Sequence, residues 1–78
     1  MYLEIISPDN NIFTGNVTLV QVPGSKSQFT ILKDHDSIIS TLTKGKIRIV
    51  DDKNETQFFE ITGGVVEVLK NKITILAD

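Results

Sequence analysis

The chain has 78 residues, eight basic and ten acidic side chains, a formal net charge of −2 at pH 7 and no cysteine. A chain of this length makes one domain, residues 1–78, and buries only about 60% of the surface its unfolded form exposes, which leaves little volume for a deep catalytic cavity. Without cysteine there is neither a disulfide framework nor thiolate chemistry, and the scattered charges form no basic stripe for a nucleic-acid backbone.

The apolar residues recur mostly at every second position, in short segments bounded by turn formers, and this is strand periodicity. Tyr2 to Ile6 reads as a first strand, stopped by Ser7-Pro8-Asp9-Asn10-Asn11, where proline fixes φ and the Asn and Asp side chains bond nearby backbone. Ile12-Phe13 is a candidate brief return strand. After Thr14-Gly15-Asn16 the next strand runs from Val17 to Val22 and ends at Pro23-Gly24, because proline cannot donate to a ladder and glycine tolerates positive φ.

Gln28 to Leu32 follows, then the polar connection Lys33-Asp34-His35-Asp36, then Ser37 to Leu42 and a turn at Lys44-Gly45. Lys46-Ile47-Arg48-Ile49-Val50 alternates cleanly, which predicts Ile47 and Ile49 inward and Lys46 and Arg48 outward. Asp51 to Glu55 reads as a hairpin tip. Gln57 to Ile61, Val65 to Leu69 and Ile73 to Leu76 complete the set, for a total of about eight to ten strands. No window carries a capped 3.6-residue apolar period, so no helix is predicted. The expected architecture is all-β, a two-sheet β-sandwich or flattened barrel, since a flat single sheet would leave an apolar face wet.

Met1 to Ile6 lack the basic start, apolar stretch and cleavage site of a signal peptide, so the chain is expected to begin at Met1. It is also expected to stop at Asp78 with no tail or second domain. No apolar run approaches the roughly 20 residues that span a bilayer, so membrane association is expected only through a partner. Asn16-Val-Thr18 and Asn54-Glu-Thr56 match the glycosylation acceptor pattern, but without a secretory signal they read as chance.

Candidate chemistry is sparse. His35 lies between Asp34 and Asp36, but adjacent residues of a turning segment project in different directions and do not enclose a metal or support a base. Gly24-Ser-Lys-Ser27 lacks the spacing of a phosphate loop and any following helix. Asp51 to Glu55 lacks the glycine and flanking helices of a calcium loop. No metal, cofactor or catalytic residue is therefore predicted. Gly63-Gly64 marks a sharp corner where no side chain fits. Phe58 and Phe59 must point to opposite faces. With Phe59 and Ile61 inward, Phe58 and Glu60 point out, and Ile38-Ile39 poses the same choice; two such outliers suggest an exposed docking patch.

In series, these residues resemble the N-terminal β-sandwich domain of the epsilon subunit of F-type ATP synthase, called delta in the mitochondrial enzyme. The resemblance is carried by Leu3-Glu-Ile-Ile-Ser-Pro8, Phe13-Thr-Gly15, Val20 to Gly24, Phe29 to Leu32, His35, Leu42 with Gly45, Ile47-Arg-Ile49, Gly63-Gly64 with Glu67-Val68, and Ile73 to Asp78.

It implies a non-catalytic rotor part that links the gamma subunit to the ring of c subunits and couples proton flow to ATP synthesis. It further implies a peripheral position on the cytoplasmic face of a bacterial inner membrane or the stromal side of a thylakoid. The gamma-facing positions it implies are His35, Ile39, Lys46, Phe58 and Ile75, and the ring-facing loop is Ser25, Lys26, Ser27 and Gln28. Acidic residues are frequent in that loop of the family, whereas here stand Lys26 and Gln28. The family's usual two-helix hairpin after the sandwich has no counterpart in these residues. Two other readings compete. A stand-alone β-sandwich module for peptide or carbohydrate needs a groove lined by aromatics, yet one tyrosine and no tryptophan are available. A small hydrolase built on His35 needs a cleft around that ring.

Overall fold

Two-residue periodicity governs the whole molecule. The computed structural model describes residues 1–78 and contains eight strands: β1 (Tyr2–Ile6), β2 (Asn11–Val22), β3 (Phe29–Leu32), β4 (Ile38–Leu42), β5 (Gly45–Asp51), β6 (Thr56–Ile61), β7 (Gly64–Leu69) and β8 (Lys72–Ala77). They form one sheet in the order β4-β7-β8-β1-β2-β5-β6, with β3 paired beside the second half of β2. β1 and β8 are parallel and every other pair is antiparallel. The expected sandwich is thus one continuous sheet folded over on itself.

Strand β2 makes the first fold. Its first half pairs with β1 and its second half with β5 and β3. Between Val17 and Leu19 the register against β5 slips by one residue, which leaves Thr18 as a bulge. Buried positions accordingly pass from Val17 to Val20 and Val22. An extra residue bends a strand and strengthens its twist, so β2 leaves one layer and enters the other without breaking. The sequence reading split this strand at Thr14-Gly15-Asn16, and the structure corrects it. Gly15 lies in the ladder opposite Leu3, where an added Cβ would come within 3.3 Å of the Phe13 ring. Its service there is space rather than a turn.

A two-stranded ribbon makes the second fold. The β4–β7 ladder ends at Leu42↔Gly64 and the β5–β6 ladder begins at Gly45↔Ile61, so Thr43-Lys44 and Thr62-Gly63 turn a corner together. Gly64 carries a φ of 150°, and a Cβ built on it would overlap the carbonyl oxygen of Leu76 on β8. The predicted corner is therefore real, and it is closed to any side chain. Near it, the Gly24↔Leu42 bridge and the bonds Ser25 N–H to Thr41 O (3.0 Å) and Thr43 N–H to Pro23 O (2.8 Å) tie the end of β2 to β4.

Between the layers lie fifteen buried apolar residues and no buried polar side chain. Leu3 and Ile5, Ile47 and Ile49, and Ile73 and Ile75 alternate with outward neighbours, as period two requires. Phe13 and Phe59 meet at 5.7 Å between ring centroids at the core's rim, within the favourable range for tilted aromatic pairs. The shortest extent, 17 Å, leaves room for two twisted layers about 10 Å apart.

Gly64→Ala is expected to cost at least about 1 to 3 kcal/mol from backbone conformation alone, before the overlap with Leu76 is counted. Urea unfolding measures it, and a variant as stable as the parent would contradict the corner described here.

Candidate functional site

The folded sheet presents two broad outer faces, and strand register decides which residues occupy each. On the β4–β7–β8–β1 face, one row runs Ile39, Glu67, Thr74, Glu4 and the next runs Thr41, Val65, Leu76, Ile6. Ile39 is 72% exposed and Leu76 53%. With Val65, Glu67 and Thr74 they line a shallow, mostly apolar hollow. Lys72 pairs with Glu4 at 3.4 Å on the same face, an exposed ion pair of small energetic weight.

The opposite face, on β3, β2, β5 and β6, has a different character. Its row Thr30, Gln21, Arg48, Phe58 is tied by hydrogen bonds from Arg48 Nε to Gln21 Oε1 (3.2 Å) and from Gln21 Nε2 to Thr30 Oγ1 (3.5 Å). Phe58 is 59% exposed at the end of that row. Lys46 lies opposite Glu60 farther along β5 and β6.

The two outward apolar residues flagged by sequence therefore do not form one patch. Ile39 and Phe58 stand on opposite faces because β4 and β6 belong to opposite layers, and Lys46 goes with Phe58. Phe59 and Ile61 do point inward, and Ile38 is half-exposed at the start of β4. Ile75 is fully buried against the core, since alternation on β8 turns Ile73 and Ile75 in and Leu76 out. A buried side chain offers no contact surface, so Leu76 takes the outward place assigned to Ile75. Val65 and Leu76 were missed because the runs Val65-Val66 and Ile75-Leu76-Ala77 hide the alternation; the cross-strand pairing Val65↔Leu76 reveals it.

His35 lies partly buried in the turn between β3 and β4, with its N–H donating to Leu32 O at 3.1 Å. Its ring Nδ1 lies 2.7 Å from Asp36 O. A carbonyl oxygen only accepts, so Nδ1 carries the proton. The ring is thus held by backbone, not by either flanking carboxylate, and no cleft surrounds it. No group of three His, Cys, Asp or Glu side chains converges to hold a metal ion. At the β5–β6 tip, the Asp51 carboxylate accepts from Lys53 N–H and Glu55 N–H, each at 2.9 Å, and serves to cap the turn.

Ser25, Lys26, Ser27 and Gln28 form an exposed loop between β2 and β3. Gly24 anchors it: an added Cβ there would come 2.5 Å from Ser27 O and 2.9 Å from the Phe29 ring. Thr41 Oγ1 donates to Ser25 Oγ at 2.9 Å. The loop and β4 enclose a hollow whose wall includes Ile39, so the loop adjoins the apolar face.

The family model described as ATP synthase, Delta/Epsilon chain, beta-sandwich domain matches residues 1–78. The ATP synthase epsilon chain of Maricaulis maris is 38% identical over 78 residues, which is all of this chain and 58% of the relative. That of Protochlamydia amoebophila is 37% identical over 76 residues, 97% of this chain and 52% of the relative. That of Caulobacter vibrioides is 33% identical over 78 residues, all of this chain and 90% of the relative. The chain thus spans little more than half the length of the first two. A chain in the cryo-EM structure of Euglena gracilis mitochondrial ATP synthase, OSCP/F1/c-ring, shares the fold with a TM-score of 0.90 at 17% identity, over 96% of this chain and 48% of that one. A chain in the central stalk/c-ring structure of Tetrahymena thermophila mitochondrial ATP synthase does so at 0.81 and 18%, over 97% and 61%.

The burial contrast yields a direct expectation. Ile39→Ser should change unfolding free energy by no more than about 0.5 kcal/mol, whereas Ile75→Ala should cost about 2 to 5 kcal/mol. Chemical denaturation of both variants checks it, and equal costs would contradict the assignment of faces.

Proposed function

This chain belongs to the delta/epsilon family of ATP synthase chains, whose beta-sandwich domain it matches along residues 1–78, and we propose that it is the non-catalytic central-stalk subunit linking gamma to the c ring of a proton-translocating F-type ATP synthase. The observation that carries this reading is the continuity of two surfaces. Ile39 belongs both to the apolar face of β4, β7 and β8 and to the hollow under the Ser25–Gln28 loop. One residue thus joins a face suited to a flat protein partner to a polar loop suited to a second.

On this reading gamma covers the face of Ile39, Val65 and Leu76, with His35 at its margin, and the c ring meets Ser25 to Gln28. A standard interface buries roughly 800 Å² per partner, about a sixth of the 4842 Å² this chain exposes. A face 27 × 24 Å across provides most of that area. Lys46 and Phe58, on the far side, then lie outside the gamma contact. The central-stalk and c-ring setting of the fold's Tetrahymena neighbour supports the assignment. So does the core, which is apolar throughout and bent at two pinned places; a dry, close-packed interior deforms little and transmits force. Torque from the ring passes through such a part to the stalk, while nucleotide chemistry occurs on other subunits. The complex stands at the cytoplasmic face of a bacterial inner membrane or the stromal side of a thylakoid. A sugar-binding module is disfavoured, because Phe29 is the only aromatic residue lining any hollow of the surface.

Calorimetry against the gamma-containing head of the enzyme tests the proposal. The expected result is saturable one-to-one binding, weakened by more than about tenfold in Ile39→Asp, where a charge is buried at a dry contact, and unchanged in Phe58→Asp. Loss of binding in Phe58→Asp alone would move the contact to the opposite face.

A further inference from the structure

Four strand edges lack a neighbour on one side: β4 and β6 at the ends of the sheet, β3, and the first half of β2. Three of them are closed or broken. On β4, Thr41 O accepts from Ser25 N–H and Leu42 bridges to Gly24. β3 has four residues, and Leu32 O is taken by His35 N–H. The free half of β2 lies between an extra residue at Ile12 and the bulge at Thr18. β6 has no such protection. Its register with β5 is unbroken from Gly45↔Ile61 to Val50↔Thr56, and Thr56–Ile61 carries no proline and no lysine. In the same register Asp51 N–H donates to Glu55 O at 2.9 Å. Bonded and non-bonded pairs alternate along an antiparallel ladder, so Gln57, Phe59 and Ile61 bond to β5, while Thr56, Phe58 and Glu60 turn their N–H and C=O groups to solvent. The side chains of these three are exposed as well.

We infer that this edge pairs with the β6 edge of a second copy of the chain, antiparallel and about a two-fold axis at Phe58. In that register Phe58 faces Phe58, Thr56 of each copy faces Glu60 of the other, and all three outward peptide groups find partners within the strand. A shift of two residues either way leaves one of the three without a partner. The side chains fit the same register. The Phe58 rings meet across the axis as aromatic cross-strand pairs do, each with Arg48 opposite it on β5. The Thr56 hydroxyl can donate to the Glu60 carboxylate. The two Glu60 side chains stand about 14 Å apart, four residues at ~3.4 Å each, beyond the Debye length of about 8 Å at physiological salt. A two-fold contact needs a self-complementary edge, and this one is. One strand pair buries less than a standard interface, so the dimer is weak and reversible. Because β6 lies away from the face assigned to gamma, the pairing does not rest on the stalk role and does not compete with that face for a partner.

Sedimentation equilibrium of the purified chain over a range of concentrations tests the pairing, together with single cysteines in a chain that has none. The expected result is a reversible monomer–dimer equilibrium, weakened more than about tenfold in Phe58→Lys, where two like charges would meet at the axis. In a bonded pair the Cα atoms lie about 5.5 Å apart, within disulfide reach. Phe58→Cys is therefore expected to cross-link to itself under mild oxidation. Thr56→Cys and Glu60→Cys are expected to stay unlinked alone and to link when mixed. All three positions are exposed, so these variants fold as the parent does. A chain that remains monomeric at every concentration would overturn the pairing and leave the edge to solvent or to a strand of another protein. A dimer unaffected by Phe58→Lys, or one in which Phe58→Cys links no faster than Leu32→Cys, would overturn it by placing the contact elsewhere on the surface.

Discussion

A sheet in so short a chain can keep an apolar face dry only by closing on itself, and everything else in this molecule follows from how that closure is achieved. Two bends achieve it. The bulge at Thr18 carries β2 from one layer into the other, and the corner at Gly63-Gly64 carries the β4–β5 and β6–β7 ribbon across with it. Each bend swaps which side chains face inward. Without the slip at Thr18, Val20 and Val22 would point to solvent, because a one-residue change of register turns every side chain over.

The outer faces inherit their character from the same geometry. On one, pairing of β7 with β8 sets Val65 beside Leu76, and pairing of β4 with β7 sets Ile39 in the neighbouring row. The result is an apolar face interrupted by Glu67 and Thr74. On the other, Arg48, Gln21 and Thr30 join in a polar ladder. The loop of Lys26 stands where the end of β2 is tied to β4, so its place beside the first face is fixed by the closure rather than by its own sequence. The proposed assembly role accords with this division between a rigid interior and two adjoining outer surfaces.

Much of this was legible in the residues. Alternation in Lys46 to Val50 and in Gln57 to Ile61 gave the inward sets correctly, and the paired glycines marked the corner. The continuity of β2 was not legible. A glycine within Thr14-Gly15-Asn16 resembles a turn in one dimension, and only the ladder opposite Leu3 shows it as a place of close approach. Nor could local reading tell that Ile39 and Phe58 face away from each other, since that depends on which layer each strand joins. Ile75 illustrates the same limit. Its assignment as a contact followed a family pattern, while its burial follows from the parity of β8.

The most direct test of the account exploits the absence of cysteine from the chain. Single cysteines placed at Ile39, Leu76, Leu32 and Phe58, all exposed positions, would be probed by short-range cross-linking to gamma in the assembled enzyme. The account predicts cross-links from positions 39 and 76 and none from 32 and 58. Cross-links from 32 and 58 alone would mean that gamma holds the polar face, and the linkage between stalk surface and ring loop argued here would fall.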